Sequence, residues 1–304
     1  MHKTHFFYVL LVMVAICFPP AAFAEQTVLP TTYTATAPFQ KPVSSTKTVV
    51  FSQQTTYVGD RVTQRVGMEL GLHTVIKQAG QIANDSKTAM RSRQEREIEV
   101  LEVTNGQARR ARVSYPLARE MSPENPKPEI EVSQEVEGKS YLITRSGTQL
   151  LITDSSGAIP TRKEFEIVLS SMENFGKANP LAEFLLSQEI QIGDTLKVPT
   201  EIAANMMGFD KMGEVEKFEL RLEELREVDG RQCALFYATI ATVGSTQAPL
   251  RIVATGSVAI EIATGRTIEA TLKGPVTMKS IENGVFYNTS GDLLMAVQSY
   301  YRTK

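Results

Sequence analysis

Arg61-Val62-Thr63-Gln64-Arg65-Val66-Gly67-Met68-Glu69-Leu70-Gly71-Leu72 alternates. Val62, Val66, Met68, Leu70 and Leu72 share one parity, and Gln64 alone breaks it. A strand turns every second side chain to the same face, so the stretch predicts a long strand, buried on one side and wet on the other.

The same period recurs along the chain. Ala111, Val113 and Tyr115 alternate with Arg110, Arg112 and Ser114. Phe218, Leu220 and Leu222 alternate with Lys217, Glu219, Arg221 and Glu223, and Ile252 to Ile262 is a further long run. Val103-Thr104-Asn105-Gly106 and Val228-Asp229-Gly230 carry the Asn-Gly and Asp-Gly signals of two-residue hairpins. Strands polar on one face and joined by tight turns predict an antiparallel sheet. Gln78 to Arg96 is polar and Pro116 to Gly138 is Pro-rich, and both are expected to be loops that hold insertions.

Helices are few. Thr161-Arg162-Lys163-Glu164 has capping-box spacing, and Phe165, Val168, Leu169, Met172 and Phe175 follow at helical intervals before Gly176. Asn179-Pro180 predicts the start of a second helix burying Leu181, Phe184 and Leu185. Thr200 to Met207, closed by Gly208, predicts a third.

Three landmarks recur in order. Tyr57-Val58-Gly59-Asp60 is matched by Gln191-Ile192-Gly193-Asp194, Glu102-Val103 with its turn by Glu227-Val228 with its turn, and Gly147–Gly157 by Gly256–Gly265. We take this as an internal duplication. In each Gly-Asp pair, the expectation is a turn in which glycine adopts an unusual dihedral and aspartate bonds nearby backbone. The expected fold is mainly β: two related curved antiparallel sheets, an open barrel or half-barrel, with two or three short helices on the concave side. The first half spans 47–186 and the second 187–304.

The N-terminus predicts export. Lys3 precedes an unbroken apolar run of 13 residues, Phe6 to Phe18, and Ala22-Phe23-Ala24 provides small residues for cleavage before Glu25. The run is shorter than the ~20 residues a spanning helix needs. Cys17 follows Ile16 rather than a small residue, so no lipid attachment is expected there. Residues 25–46 are rich in Thr, Pro, Ser and Ala, which predicts an extended leader.

Cleavage after Ala24 leaves 280 residues with net charge −3, because Lys3 is the only charge removed. That balance offers no electrostatic footprint for nucleic acid. After Ala24, Cys233 is the single cysteine, so no intramolecular disulfide can form, and His73 is the single histidine. Zinc needs about four ligands, more than this Cys/His set supplies, and no cofactor motif is present. No Gly-x-Ser-x-Gly, Ser-x-x-Lys or His-Glu-x-x-His pattern occurs. A non-catalytic role is therefore expected. A hydrolase using two facing carboxylates stays open, because glycosidases need only such a pair.

Apolar helix residues are the candidate ligand surface: Phe165, Leu169 and Met172 in the first helix, and Met206, Met207 and Phe209 in and after the third. Methionine adapts to irregular apolar shapes, in a core or around a ligand. A third candidate surface is the basic stretch holding Arg91, Arg93 and Arg96.

This layout of signal peptide, Thr/Pro-rich leader, Gly-Asp strand starts and a helix pair before the second Gly-Asp resembles a group of uncharacterised bacterial exported β-rich proteins with duplicated halves. More distantly it is similar to the half-barrels of periplasmic lipoprotein and lipid carriers. That resemblance implies helices plugging a curved sheet over an apolar cavity, and it carries over no functional residue. The expected partner is a lipid or other apolar ligand, or alternatively a protein of the cell envelope, met in the periplasm or after secretion.

Overall fold

The computed structural model describes residues 48–53, 55–123, 130–207, 214–244, 250–282 and 284–302. The signal peptide and leader expected over 1–46, and Phe209, lie outside these residues.

Alternation becomes one antiparallel sheet. Its strands are β2 (Arg61–Gln78), β3 (Gln81–Thr104), β4 (Gln107–Met121), β5 (Val132–Ser133), β6 (Ser140–Ser146), β7 (Gln149–Asp154), β9 (Thr195–Lys197), β10 (Glu214–Val228), β11 (Arg231–Val243), β12 (Leu250–Glu261), β13 (Thr267–Glu282) and β14 (Val285–Arg302). They lie in the order β7-β6-β4-β3-β2-β14-β13-β12-β11-β10-β9, with β5 against β4. The two ends do not meet, so the sheet is curved and open. A separate pair, β1 (Thr48–Val50) with β8 (Glu189–Gln191), lies off this path. Strands from the two predicted halves join where β2 runs against β14, from Arg61↔Arg302 to Gln78↔Val285.

Turn chemistry sets the hairpins. Asn105 and Gly106 have φ of 52° and 76°, and Asp229 and Gly230 have 50° and 75°, the left-handed pair that tight hairpins require. A third hairpin turns at Ala79-Gly80, with φ of 51° and 80°. The Gln78–Arg96 stretch is thus strand rather than loop. Its first half lacks alternation because neither face is covered: Gln81 to Asp85 are all exposed. Pro116 to Met121 likewise continues β4.

The two Gly-Asp turns are built alike. Asp60 Oδ2 accepts from Tyr57 N and Asp194 Oδ2 from Gln191 N, each at 2.9 Å. Gly59 N donates to Val100 O and Gly193 N to Leu222 O, each at 2.8 Å. Val100 N and Leu222 N return bonds to Asp60 O and Asp194 O, each at 2.9 Å.

Three helices follow the predicted starts: α1 (Arg162–Met172), α2 (Pro180–Leu186) and α3 (Thr200–Met207). Thr161 and Glu164 form the reciprocal capping box. Asn179 Oδ1 accepts from Leu181 N at 3.0 Å and Ala182 N at 3.3 Å, with Pro180 at the first position of α2. No basic residue lies in the last turn of α1. Strand arginines bond its final carbonyls instead: Arg145 from β6 donates to Glu173 O and Phe175 O, and Arg96 from β3 donates to Ser171 O. Cations suit this negative end of the helix.

Two apolar clusters result. The larger gathers the sheet face from β10 to β14 and β2 with α2, α3 and the β1–β8 pair: Phe236, Ile252, Leu220 and Leu293 meet Leu185, Ala203, Val49 and Ile190. Phe51 stacks on Phe236 with ring centroids 6.3 Å apart. The smaller joins β4, β6 and β7 to α1 through Val113, Tyr115, Tyr141, Ile143, Val168 and Met172.

A diagonal of glycines crosses the sheet at Gly256, Gly274 and Gly291. At Gly274 a β-carbon would stand 1.9 Å from Val253 O on the neighbouring strand, so only glycine permits this close approach of strands.

Candidate functional site

The second layer is small. Helices α2 and α3 have 7 and 8 residues, each roughly 11 Å long. The apolar face beneath them crosses seven strands, β9 to β14 and β2, roughly 30 Å at the usual strand spacing. Over the centre, these helices, the β1–β8 pair and the sheet's own curl leave Ile252 and Ala254 fully buried. Among the described residues the cover ends at Leu72 and Met278, which are half-buried against the larger cluster.

Beyond that border the same face continues. Directly opposed residues in an antiparallel sheet point to one side. Leu72 opposes Gly291, which opposes Val276. In the next row Ser86, Thr74, Thr289 and Met278 stand in register. The row after holds Asn84, Ile76, Tyr287 and Ser280. This shelf therefore mixes apolar side chains (Leu72, Ile76, Met278, Tyr287) with hydroxyl and amide groups. Thr74 Oγ1 and Thr289 Oγ1 are hydrogen-bonded at 2.9 Å. An apolar chain can lie against Leu72 and Met278 while a polar end meets the hydroxyls.

Between the two clusters lies a buried polar group. Gln64, the polar exception in β2, is fully buried, and Arg96 is 2% exposed. Gln64 Oε1 accepts from Arg96 Nε at 2.8 Å and also from Nη2. Tyr115 Oη and Ser171 Oγ are 2.5 Å apart, and Gln64 Nε2 donates to Ser299 Oγ at 3.5 Å. Burial lowers the Arg96 guanidinium to about 10, so it stays charged at neutral pH. Burial also pushes the Tyr115 hydroxyl up to about 12, so it stays protonated. The group ties β2, β3, β4 and β14 to α1. Sequence reasoning missed it because Arg96 sits in a run of charged residues, Arg91 to Glu99, and only the lapse at Gln64 signalled it.

Of the predicted ligand residues, Met172 is 3% exposed within the smaller cluster, Phe165 is half-buried against it, and Leu169 is exposed. The α1 residues and α3 thus serve different clusters. Met206 and Met207 end the α3 backbone, and their side chains lie outside the described part of the structure. Arg91 and Arg93 stand on a strand, paired with Glu69 at 2.9 Å and with Glu131 respectively.

The buried carboxylates hold the fold together. Asp60 closes its turn, and Glu261 accepts from Arg231 at 2.8 Å and Thr264 at 2.6 Å. Glu164 accepts from Lys139 at 2.6 Å, Thr161 N at 2.8 Å and Tyr141 at 3.1 Å. The Lys139 bond leads in holding its carboxyl down to about 2. Cys233 is buried, and desolvation pushes its thiol up to about 11, far from a nucleophile's range. His73 meets Asp85 at 2.7 Å on the exposed face. Among the described residues no group of three or more His, Cys, Asp or Glu could hold a metal ion, and no helix is long and apolar enough to cross a membrane.

Fold and site together define an open, curved antiparallel sheet with a partial helical layer and an amphipathic shelf at its border. No family model matches the chain, and no curated protein matches it. Similar solved structures include one of lipid–protein interactions in lipovitellin, 9% identical with a TM-score of 0.33 over 82% of this chain; the chain spans about a quarter (26%) of that one. A DUF1329 family protein from Desulfovibrio piger is 9% identical with a TM-score of 0.15, covering 74% of this chain and 83% of its own. A LolA superfamily protein from Nitrosomonas europaea is 7% identical with a TM-score of 0.13, covering 78% and 87%.

Proposed function

We propose that this chain is an exported, non-catalytic carrier of an apolar or amphipathic ligand in the cell envelope. The observation that carries the proposal is the shelf: the face that forms the core runs past its cover, in register, as half-buried Leu72, Ile76, Met278 and Tyr287 interleaved with hydroxyls. An acyl or similar chain lies against Leu72 and Met278, at the border of the larger cluster. Its polar end lies near Thr74, Asn84 and Ser280, with Thr289 buried behind Thr74. Met206, Met207 and Phe209 are proposed, on the sequence pattern alone, to add apolar surface for the ligand. Export rests on the Lys3–Ala24 pattern, and the two-halves reading is supported by the matching Gly-Asp turns.

Native mass spectrometry and lipid extraction of the chain purified from its own host test the reading, together with titration by a dansyl-labelled fatty acid. The expected result is a co-purifying amphiphile and saturable fluorescence enhancement. Leu72→Asp with Met278→Asp should remove both, with the circular-dichroism spectrum unchanged. Wild-type protein that carries no adduct and gives no saturable signal would overturn the proposal.

A further inference from the structure

The β2–β3 and β13–β14 hairpins project past the body of the sheet as a four-stranded flap. Its inner face is the shelf; its outer face is a separate surface. The row nearest the tip pairs Gln81, Gln78, Val285 and Glu282; in the row behind it Ile82 opposes Lys77, Lys77 opposes Phe286, and Phe286 opposes Ile281, so all four side chains share the outer side. Ile82 is 62% exposed, Phe286 50% and Ile281 63%. Three large apolar side chains side by side in water are an uncovered surface, unlike an isolated exposed leucine.

The charges behind this row are mostly of one sign. The next row back holds Asp85, Val75, Asn288 and Lys279, and the one after holds Lys87, His73, Ser290 and Thr277. Lys77, Lys87 and Lys279 are all exposed. The single carboxylate in these rows, Asp85, is bonded to His73 at 2.7 Å. The next carboxylate on this face, Asp292, stands one row behind Lys87, His73 and Ser290, about 7 Å from that row and about 20 Å from Phe286. The chain as a whole is negative, at −2, so the positive field is local to the flap.

We infer that the outer face of the flap docks on an anionic lipid bilayer, with Ile82, Phe286 and Ile281 entering the interface and Lys77, Lys87 and Lys279 meeting lipid phosphates. Apolar tips inserted among lipid chains, with long cationic side chains reaching back to the headgroups, give interfacial binding that needs no spanning segment. A bilayer fits better than a folded protein partner because exposed apolar side chains share one row with Lys77, and Lys279 and Lys87 stand in the two rows behind it, whereas a protein hot spot is a central pocket. Docking uses the face opposite the shelf, so it stands or falls separately from ligand binding.

Flotation of the mature chain with vesicles tests the inference. Vesicles of phosphatidylglycerol and phosphatidylethanolamine should bind the protein, and phosphatidylcholine vesicles should bind it about tenfold less. Raising salt from 0.05 to 0.5 M should weaken binding to the anionic vesicles severalfold. Ile82→Ser, Ile281→Ser and Phe286→Ser combined should lower partitioning about tenfold or more. Lys77→Gln, Lys87→Gln and Lys279→Gln combined should abolish the preference for anionic lipid. The chain has no tryptophan, so Phe286→Trp provides a single reporter without removing apolar surface. Its emission should shift to the blue and resist iodide quenching when anionic vesicles are added. Leu72→Asp with Met278→Asp should leave flotation unchanged. No flotation of the wild type, an unshifted Phe286→Trp emission, or a dimer that the serine variant dissociates would overturn the inference; the last would mean that a second copy covers the row.

Discussion

Replacing Arg96 by methionine tests the polar group between the two clusters. Methionine approximates the length of the arginine stem but supplies no donor. Two buried acceptors then lose bonds at once: Gln64 Oε1, which accepts from Nε at 2.8 Å and from Nη2, and Ser171 O at the end of α1. A buried acceptor left unsatisfied costs about 1–3 kcal/mol, so the variant should lose about 3–5 kcal/mol. Gln64→Leu alone removes the oxygen that accepts from Arg96 Nε and Nη2, and should cost a similar amount. The double variant replaces both partners with apolar groups and should cost clearly less than the sum, with a coupling of about 2 kcal/mol. Urea unfolding followed by far-UV circular dichroism measures all three. A loss below about 1 kcal/mol for Arg96→Met, or strict additivity, would refute the reasoning and place the energy of this junction in the surrounding apolar contacts.

Glu164 provides a pH test. Its carboxyl is held at about 2 in the fold, below the ordinary 4.5, so its contribution is complete above pH 4.5 and disappears as pH falls from there toward 2. Glu164→Gln should therefore cost about 1–2 kcal/mol at pH 7, discounted because Lys139 is half exposed, and the gap from wild type should close across that window. Ala79 occupies a left-handed conformation in an exposed turn, so Ala79→Asn should raise stability by about 0.5–1 kcal/mol, measured by thermal unfolding. Gly274→Ala forces a methyl to within 1.9 Å of Val253 O and should cost about 2–3 kcal/mol unless the strands separate. Differential scanning calorimetry of that variant, with amide exchange along β12 and β13, would report both the loss and its location.

Local chemistry made much of the fold legible. The parity of Val62 to Leu72, the Asn105-Gly106 and Asp229-Gly230 turns, the Thr161–Glu164 box and the Asn179-Pro180 start are signals carried by residues two to four apart. Each appears where the sequence places it. Gln81 to Thr88 failed as a strand signal because alternation records one covered face, and here neither face is covered by the body. The shelf and the docking row were hidden for the same reason. Leu72 lies more than 200 residues from Met278 and Tyr287, as Ile82 does from Phe286, and these become neighbours only through the register of β2 on β14.

The amino-acid sequence by itself determined which segments extend, where they turn and where helices start, because backbone dihedrals and capping bonds answer to near neighbours. Tertiary structure alone decided that two sets of strands join into one open sheet and that Arg96 is buried beside Gln64. It also decided where the apolar face outruns its cover. Those outcomes depend on which distant strands align, and on how far two short helices and a two-stranded pair can reach across them.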